Sequence, residues 1–381
     1  MAQRSMVIRN SKVFTKDGIF KNEDIYIKNG VFADINTRDE GDTAQIDGTN
    51  LLAIPGLVDI HFHGAIGYDF CEGEKEALKA ILDYELSHGV MAVCPTTMTF
   101  PEEIIGRAVD SALELSDGDS GADIVGINLE GPFINPQKAA AQNPDYVRKG
   151  DPAMLQRLLE RGRGLIKIVD VSPEIKENFM LIEEFKDKVN FSVAHTMADY
   201  DIAGSAFRAG AKQLTHMFNA MPEIMHRSPG PELAALEEGA YVELISDGVH
   251  NHDAIIRMVF GLYDSEKAVL ISDSMMATGL KDGLYSLGGQ KVMVKGRECR
   301  LKDNPDTIAG SNSNLFECLK HTVLEAGVPL EKAVLAATIN PARAIGVDDK
   351  YGSIREGRYG NVILMDEELN IKYIIKNGCI K

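Results

Sequence analysis

Six side chains able to bind a metal or move a proton recur at one kind of position in this chain. His61 and His63 end an apolar run in Val58-Asp59-Ile60-His61-Phe62-His63-Gly64. Glu130 follows another in Asn128-Leu129-Glu130-Gly131-Pro132, and His195, His216 and Asp273 follow three more. Imidazoles and carboxylates together form a donor set suited to zinc, iron or a similar divalent cation. Alternate residues of a strand face one side, so His61 and His63 are expected to point the same way. A lone H-x-H pair, or one histidine at a strand end, is more often a polar cap than a ligand. The weight lies in the coincidence of five separate runs ending alike. Such a centre implies hydrolysis, because a divalent cation polarises a carbonyl and makes water nucleophilic at neutral pH. Asp273 is suited to both proton steps, as base toward the water and then as acid toward a leaving nitrogen, and is expected across the mouth from the histidines.

The elements that must position these groups are legible as rhythm. Eight short apolar runs, at 56–60, 90–94, 124–129, 165–171, 190–194, 211–215, 241–246 and 268–272, punctuate the middle of the chain. Helical patterns follow most of them, as at 74–87, 102–115, 154–161, 174–185 and 199–209. Strands that read as apolar throughout and alternate with helices predict a buried parallel sheet. Eight such units predict an α/β fold, a (β/α)8 TIM barrel over 55–353, with a doubly wound open sheet as its rival. All six chemical residues then fall at the carboxyl ends of strands, the face where such barrels keep their active sites. Residues 1–54 and 354–381 alternate in a β manner and predict one small β-sandwich domain built from both termini. Between Gly279 and Gly310 the rhythm breaks into a glycine-rich, hairpin-like insertion before the last barrel helix.

Composition narrows the function classes. The chain has 381 residues, 44% of them hydrophobic and 25% charged, with a formal net charge of −17. That charge argues against nucleic acid, which selects basic stripes, and against anionic membranes; it reads as solubility. Five cysteines, an odd number with no C-x-x-C pair, point to reduced thiols and a cytoplasmic setting. The opening Met1-Ala2-Gln3-Arg4-Ser5-Met6 lacks a signal peptide's apolar core, and no window approaches 18 consecutive apolar residues.

Several motifs are more specific. Asn128-Leu129-Glu130-Gly131-Pro132-Phe133, Leu214-Thr215-His216-Met217-Phe218-Asn219-Ala220-Met221, Ser272-Asp273-Ser274-Met275-Met276-Ala277-Thr278-Gly279, Asp247-Gly248-Val249-His250 and Ile308-Ala309-Gly310-Ser311 resemble the N-acetylglucosamine-6-phosphate deacetylase family of the amidohydrolase superfamily. The resemblance runs from about residue 6 to the C-terminus. It implies removal of acetate from an amino-sugar phosphate, leaving glucosamine 6-phosphate. Glu130, His195 and His216 correspond to ligands of a principal metal. His61 and His63 correspond to a second-metal pair kept by some members, which would allow one or two ions with Glu130 between them. Asp273 corresponds to the acid/base. Ala141, Gln142, Asn219, Ala220, Arg227, His250 and Ile308 correspond to substrate contacts. Arg227 would reach the neighbouring subunit's site in a homodimer, and its planar fork suits a phosphate.

One departure is visible. Where many relatives carry a lysine-lysine-glycine-x-histidine segment, this chain reads Lys138-Ala139-Ala140-Ala141-Gln142. An amide at Gln142 donates and accepts hydrogen bonds but does not titrate, which removes any proton shuttle there. His252 forms a second H-x-H with His250 but is expected to cap the following helix. The rival readings are a deacetylase for the galacto epimer, another amidohydrolase such as a cyclic amidohydrolase or nucleobase deaminase, and a metal-free sugar-phosphate binder. A cyclic amidohydrolase bridges its metals with a modified lysine at a strand end, whereas Lys167 falls inside its run.

Overall fold

A computed structural model describes residues 5–34, 44–116, 118 and 121–381; the first four residues of the chain lie outside it. Eight parallel strands pair in chain order: β1 (Leu57–Phe62), β2 (Val90–Thr97), β3 (Ile127–Leu129), β4 (Ile166–Val171), β5 (Asn190–Val193), β6 (Gln213–Leu214), β7 (Tyr241–Ile245) and β8 (Ala268–Ile271). At the seam between β8 and β1, the Asp273 N–H donates to the His61 carbonyl at 3.0 Å, and the Ser272 N–H reaches the Asp59 carboxylate at 3.4 Å. The barrel therefore closes at the level of the candidate chemistry.

Helices alternate with the strands: α1 (Lys75–Ser87), α2 (Glu102–Leu115), α3 (Pro152–Gly162), α4 (Lys176–Phe185), α5 (Tyr200–Ala209), α6 (Gly230–Glu237), α7 (Asp253–Leu262) and α8 (Leu315–Leu324). Their starts have chemical causes. Asp151, Asp199 and His252 accept backbone N–H groups at the first turns of α3, α5 and α7, and Asn314 with Glu317 forms a reciprocal cap on α8. In α2, Ile105, Ala108, Val109 and Ala112 recur at helical spacing and bury one stripe against the sheet.

The strands are not apolar on both faces, which corrects the sequence-based expectation. Val169, Val193, Leu214, Val242 and Leu244 pack outward into the shared core with the helices. The alternate positions of β4 to β7 and the residue after β6 carry Asp170, Ser192, Gln213, Thr215 and Glu243, all buried. Thr215 Oγ1 donates to Asp170 at 2.9 Å and lies 2.5 Å from Ser192 Oγ. Mutual hydrogen bonding is what permits such a polar layer inside the barrel. Nearer the other end the interior is apolar, with Val58, Ile60, Cys94, Ile168 and Val269 beside Ala342 and Ile345.

The termini form a separate sheet. Met6–Phe14, Phe20–Lys28, Val31–Phe32, Ala44–Asp47 and Leu52–Pro55 join Val362–Met365, Ile371–Lys376 and Cys379–Ile380 as eight hydrogen-bonded strands. Its own core holds Met6, Ile8, Ile25, Ile27, Val362, Leu364 and Ile375. Its first strand, Met6–Phe14, carries a register break between Ile8 and Ser11, where Asn10 takes φ +60°. The insertion is a three-stranded meander, Gly283–Leu287, Gln290–Lys295 and Glu298–Leu301. Gln290 Nε2 ties it to the carbonyls of Ala141 at 2.7 Å and Gln142 at 3.2 Å.

Candidate active site

Closing the barrel brings the six predicted residues into two triplets. His61, His63 and Asp273 form one, and Glu130, His195 and His216 the other; within each, ligand-type atoms lie within 4.8 Å of one another. Glu130 touches both. Its Oε1 lies 2.9 Å from His195 Nε2 and 3.0 Å from His216 Nε2, and its Oε2 lies 3.2 Å from His63 Nε2. Asp273 does not stand across the mouth from the histidine pair. Its Oδ1 is 3.2 Å from His63 Nε2 and 3.8 Å from His61 Nε2, because the seam makes the end of β8 a neighbour of β1. His61 is also a residue of β1 itself rather than of the loop after it.

The ring nitrogens turned away from the centre are held by the frame. His63 Nδ1 lies 3.1 Å from the Thr96 carbonyl, His195 Nδ1 2.8 Å from the Lys138 carbonyl, and His61 Nδ1 2.9 Å from Glu243 Oε2. Each arrangement directs Nε2 inward. His61 Nε2 is buried without a hydrogen-bond partner, so an electron-pair donor is aimed at the centre. Together with the mixed imidazole and carboxylate donors, this fits a divalent cation. The backbone is bent to the same end: His195, His216 and Asp273 have φ of +43°, +29° and +49°. Left-handed backbone at non-glycine residues costs about 1–3 kcal/mol each and clusters at functional sites.

The electrostatics are those of a site that gathers positive charge. Burial pushes the Glu130 carboxyl up, but the neighbouring His61 and hydrogen bonds from His195 and His216 hold it well below the usual range. Burial would lower His63, yet its bonds to Asp273 and Glu130 raise it to about 10. Asp273 is likewise held below its ordinary value, burial being outweighed by His63 and His61.

A cavity of about 250 Å³ opens on these groups. Ala141, Gln142, Asn219, Ala220, His250 and Ile308 all line it. Arg227 does not; it lies in an exposed stretch beside the exposed Ile224 and Met225. Gln142 turns toward the centre: its Nε2 donates to Glu130 Oε2 at 2.6 Å, while its Oε1 accepts the Thr99 N–H at 2.6 Å. His250 is oriented by Asp247, whose Oδ2 lies 2.8 Å from Nδ1; burial would raise that carboxyl, but His250 brings it down to about 2. Sequence reading missed Glu243, although a carboxylate inside an apolar run was a signal. It also missed Leu287, Asp306 and Thr307, by which the insertion forms one wall of the cavity. Among the described residues no helix is long and apolar enough to cross a membrane.

A (β/α)8 barrel with histidine and carboxylate triplets at its mouth defines a metal-dependent hydrolase class, and the chain belongs to the amidohydrolase family, whose model matches residues 52–381. Within that family it is 32% identical to the N-acetylglucosamine-6-phosphate deacetylase of Bacillus subtilis (strain 168), over 99% of this chain and 97% of the relative. It is 31% identical to an N-acetylgalactosamine-6-phosphate deacetylase of Escherichia coli O157:H7, over 98% of both chains. Among solved structures, a mutant N-acetyl-D-glucosamine-6-phosphate deacetylase from Mycobacterium smegmatis in complex with N-acetyl-D-glucosamine-6-phosphate aligns with a TM-score of 0.90 at 29% identity, over 99% of both chains.

Proposed function

We propose that this protein hydrolyses the acetamido bond of N-acetylglucosamine 6-phosphate to give glucosamine 6-phosphate and acetate. The observation that carries the proposal is the meeting of Glu130, His195, His216, His61, His63 and Asp273 beside a cavity of sugar-phosphate size. Glu130, His195 and His216 would hold one divalent cation, zinc or iron, and His61, His63 and Asp273 a second, with Glu130 between them. When bound, such ions supply Lewis acidity to the amide carbonyl and lower the pKa of water.

The chain's own groups do the rest. Asp273, held ionised by His63 and His61, accepts a proton from the attacking water and returns it to the departing nitrogen as the C–N bond breaks. His250, fixed by Asp247, and Asn219 orient the sugar. Leu287 and Ile308 give the cavity an apolar wall. Arg227 is assigned to the phosphate of a substrate in a second copy's site, which its exposure and its absence from the wall of its own cavity support. The protein is accordingly read as a homodimer, working in the cytoplasm.

Likeness to the Escherichia coli relative supports a second reading, in which the galacto epimer is the substrate. Acetate release by the metal-loaded chain from each phosphorylated epimer, abolished by a chelator and restored by metal, tests the proposal. No release from either places the substrate elsewhere among amidohydrolases.

A further inference from the structure

Glu243 sits in the middle of β7, fully buried, and the chemistry assigned above makes no use of it. Both of its oxygens are engaged. Oε1 accepts from Gln213 Nε2, and the Gln213 amide oxygen in turn accepts from Asn190 Nδ2 at 3.2 Å. Oε2 lies 2.9 Å from His61 Nδ1 and accepts the backbone N–H of His216 at 3.2 Å. The direction of this chain of bonds is fixed. An ionised carboxylate only accepts, so Gln213 presents its NH2 to Glu243 and its oxygen to Asn190. His61 then carries its proton on Nδ1, which leaves Nε2 as the lone-pair atom facing the mouth, where it has no partner.

We propose that Glu243 is a positioning residue for one of the two ion sites: through His61 it governs the affinity of the His61–His63–Asp273 site, while its contact with the other triplet is confined to the backbone N–H of His216. One carboxylate thus reaches across the barrel from β7 to β1 and to the end of β6. Negative charge behind an imidazole fixes its tautomer and raises the basicity of the inward nitrogen, and losing such a partner weakens metal binding about 10- to 100-fold. The stronger link is to His61, whose ring contacts Glu243 directly. His216 is held only by its backbone and keeps its Glu130 contact without help. The second ion is therefore the one that depends on Glu243.

The inference rests on the two-ion reading of the mouth. The test strips the full-length chain with a chelator and titrates it with zinc alone, following stoichiometry and affinity calorimetrically. Wild type is expected to bind two ions. Glu243→Gln, which keeps the shape and removes the charge, is expected to bind the first ion unchanged and the second about 10- to 100-fold more weakly. Glu243→Asp, which restores the charge, is expected to recover part of that loss. Gln213→Met leaves Glu243 in place without its donor; it is expected to weaken the same ion and serves if Glu243→Gln does not fold. Two ions bound undiminished by a folded Glu243→Gln chain overturn the role of Glu243 alone, as does equal weakening of both ions. A wild-type chain that binds a single ion overturns the two-ion reading and this inference with it.

Discussion

Asp273 lies against His63, with 3.2 Å between Oδ1 and Nε2, and its own N–H is bonded to the carbonyl of His61. The residue assigned to proton transfer is thereby fixed to the strand that carries the histidine pair. Replacing Asp273 by Asn keeps the shape and removes the base. Turnover is expected to fall about 10²- to 10⁴-fold. The ion at Glu130, His195 and His216 should stay bound, which elemental analysis of the purified variant checks. Near-normal turnover would remove Asp273 from the mechanism.

Gln142 Nε2 donates to Glu130 Oε2 at 2.6 Å. Gln142→Leu removes that donor from a buried carboxylate and leaves the Thr99 N–H without its acceptor. Metal affinity is expected to drop about tenfold, by the usual effect of losing a ligand's hydrogen-bond partner. The pH–rate profile should keep its shape, because an amide does not titrate in this range. A shifted profile with metal affinity intact would assign Gln142 a different role.

Arg227 is predicted to act on phosphate. Arg227→Ala should raise KM for the phosphorylated sugar about 10- to 100-fold, the usual worth of a charge-assisted hydrogen bond. Turnover of the unphosphorylated sugar should hardly change. Equal losses on both substrates would show that the side chain serves the sugar or the fold instead.

Glu232, in the first turn of α6, is a buried carboxylate whose oxygens meet no hydrogen-bonding side chain. Burial pushes it up to about 7. A carboxyl raised on folding favours the folded state fully below its unfolded value, and that advantage is lost as pH rises through the folded one. Glu232→Gln, neutral at every pH, should therefore gain stability over wild type between about pH 4.5 and 7 and level off above, by about 2–3 kcal/mol. Denaturant melts at pH 5 and pH 8 check this; a constant difference would contradict it.

The barrel and the six residues at its mouth were legible because both signals are local. Runs of apolar residues mark the strands, and a polar residue at each end stands out against them. What escaped depends on closure. The seam places Asp273 beside His61 and His63, and nothing in the sequence around residue 273 states which strand will be its neighbour. Glu243 was hidden for a related reason. Its partner His61 is 182 positions away, and the buried polar layer is explained only once the inward faces of β4 to β7 meet. The direction of Gln142 is set by Thr99 and Glu130, two segments that its own sequence context does not specify.

The central claim is tested most directly by counting metal per chain and measuring acetate release in one preparation. The substrates are N-acetylglucosamine 6-phosphate, its galacto epimer and the unphosphorylated sugar. Rapid release from the gluco phosphate, slower release from the other two, and two ions per chain are expected. Bound metal with no acetate from any of the three would contradict the assignment while leaving the hydrolase barrel in place.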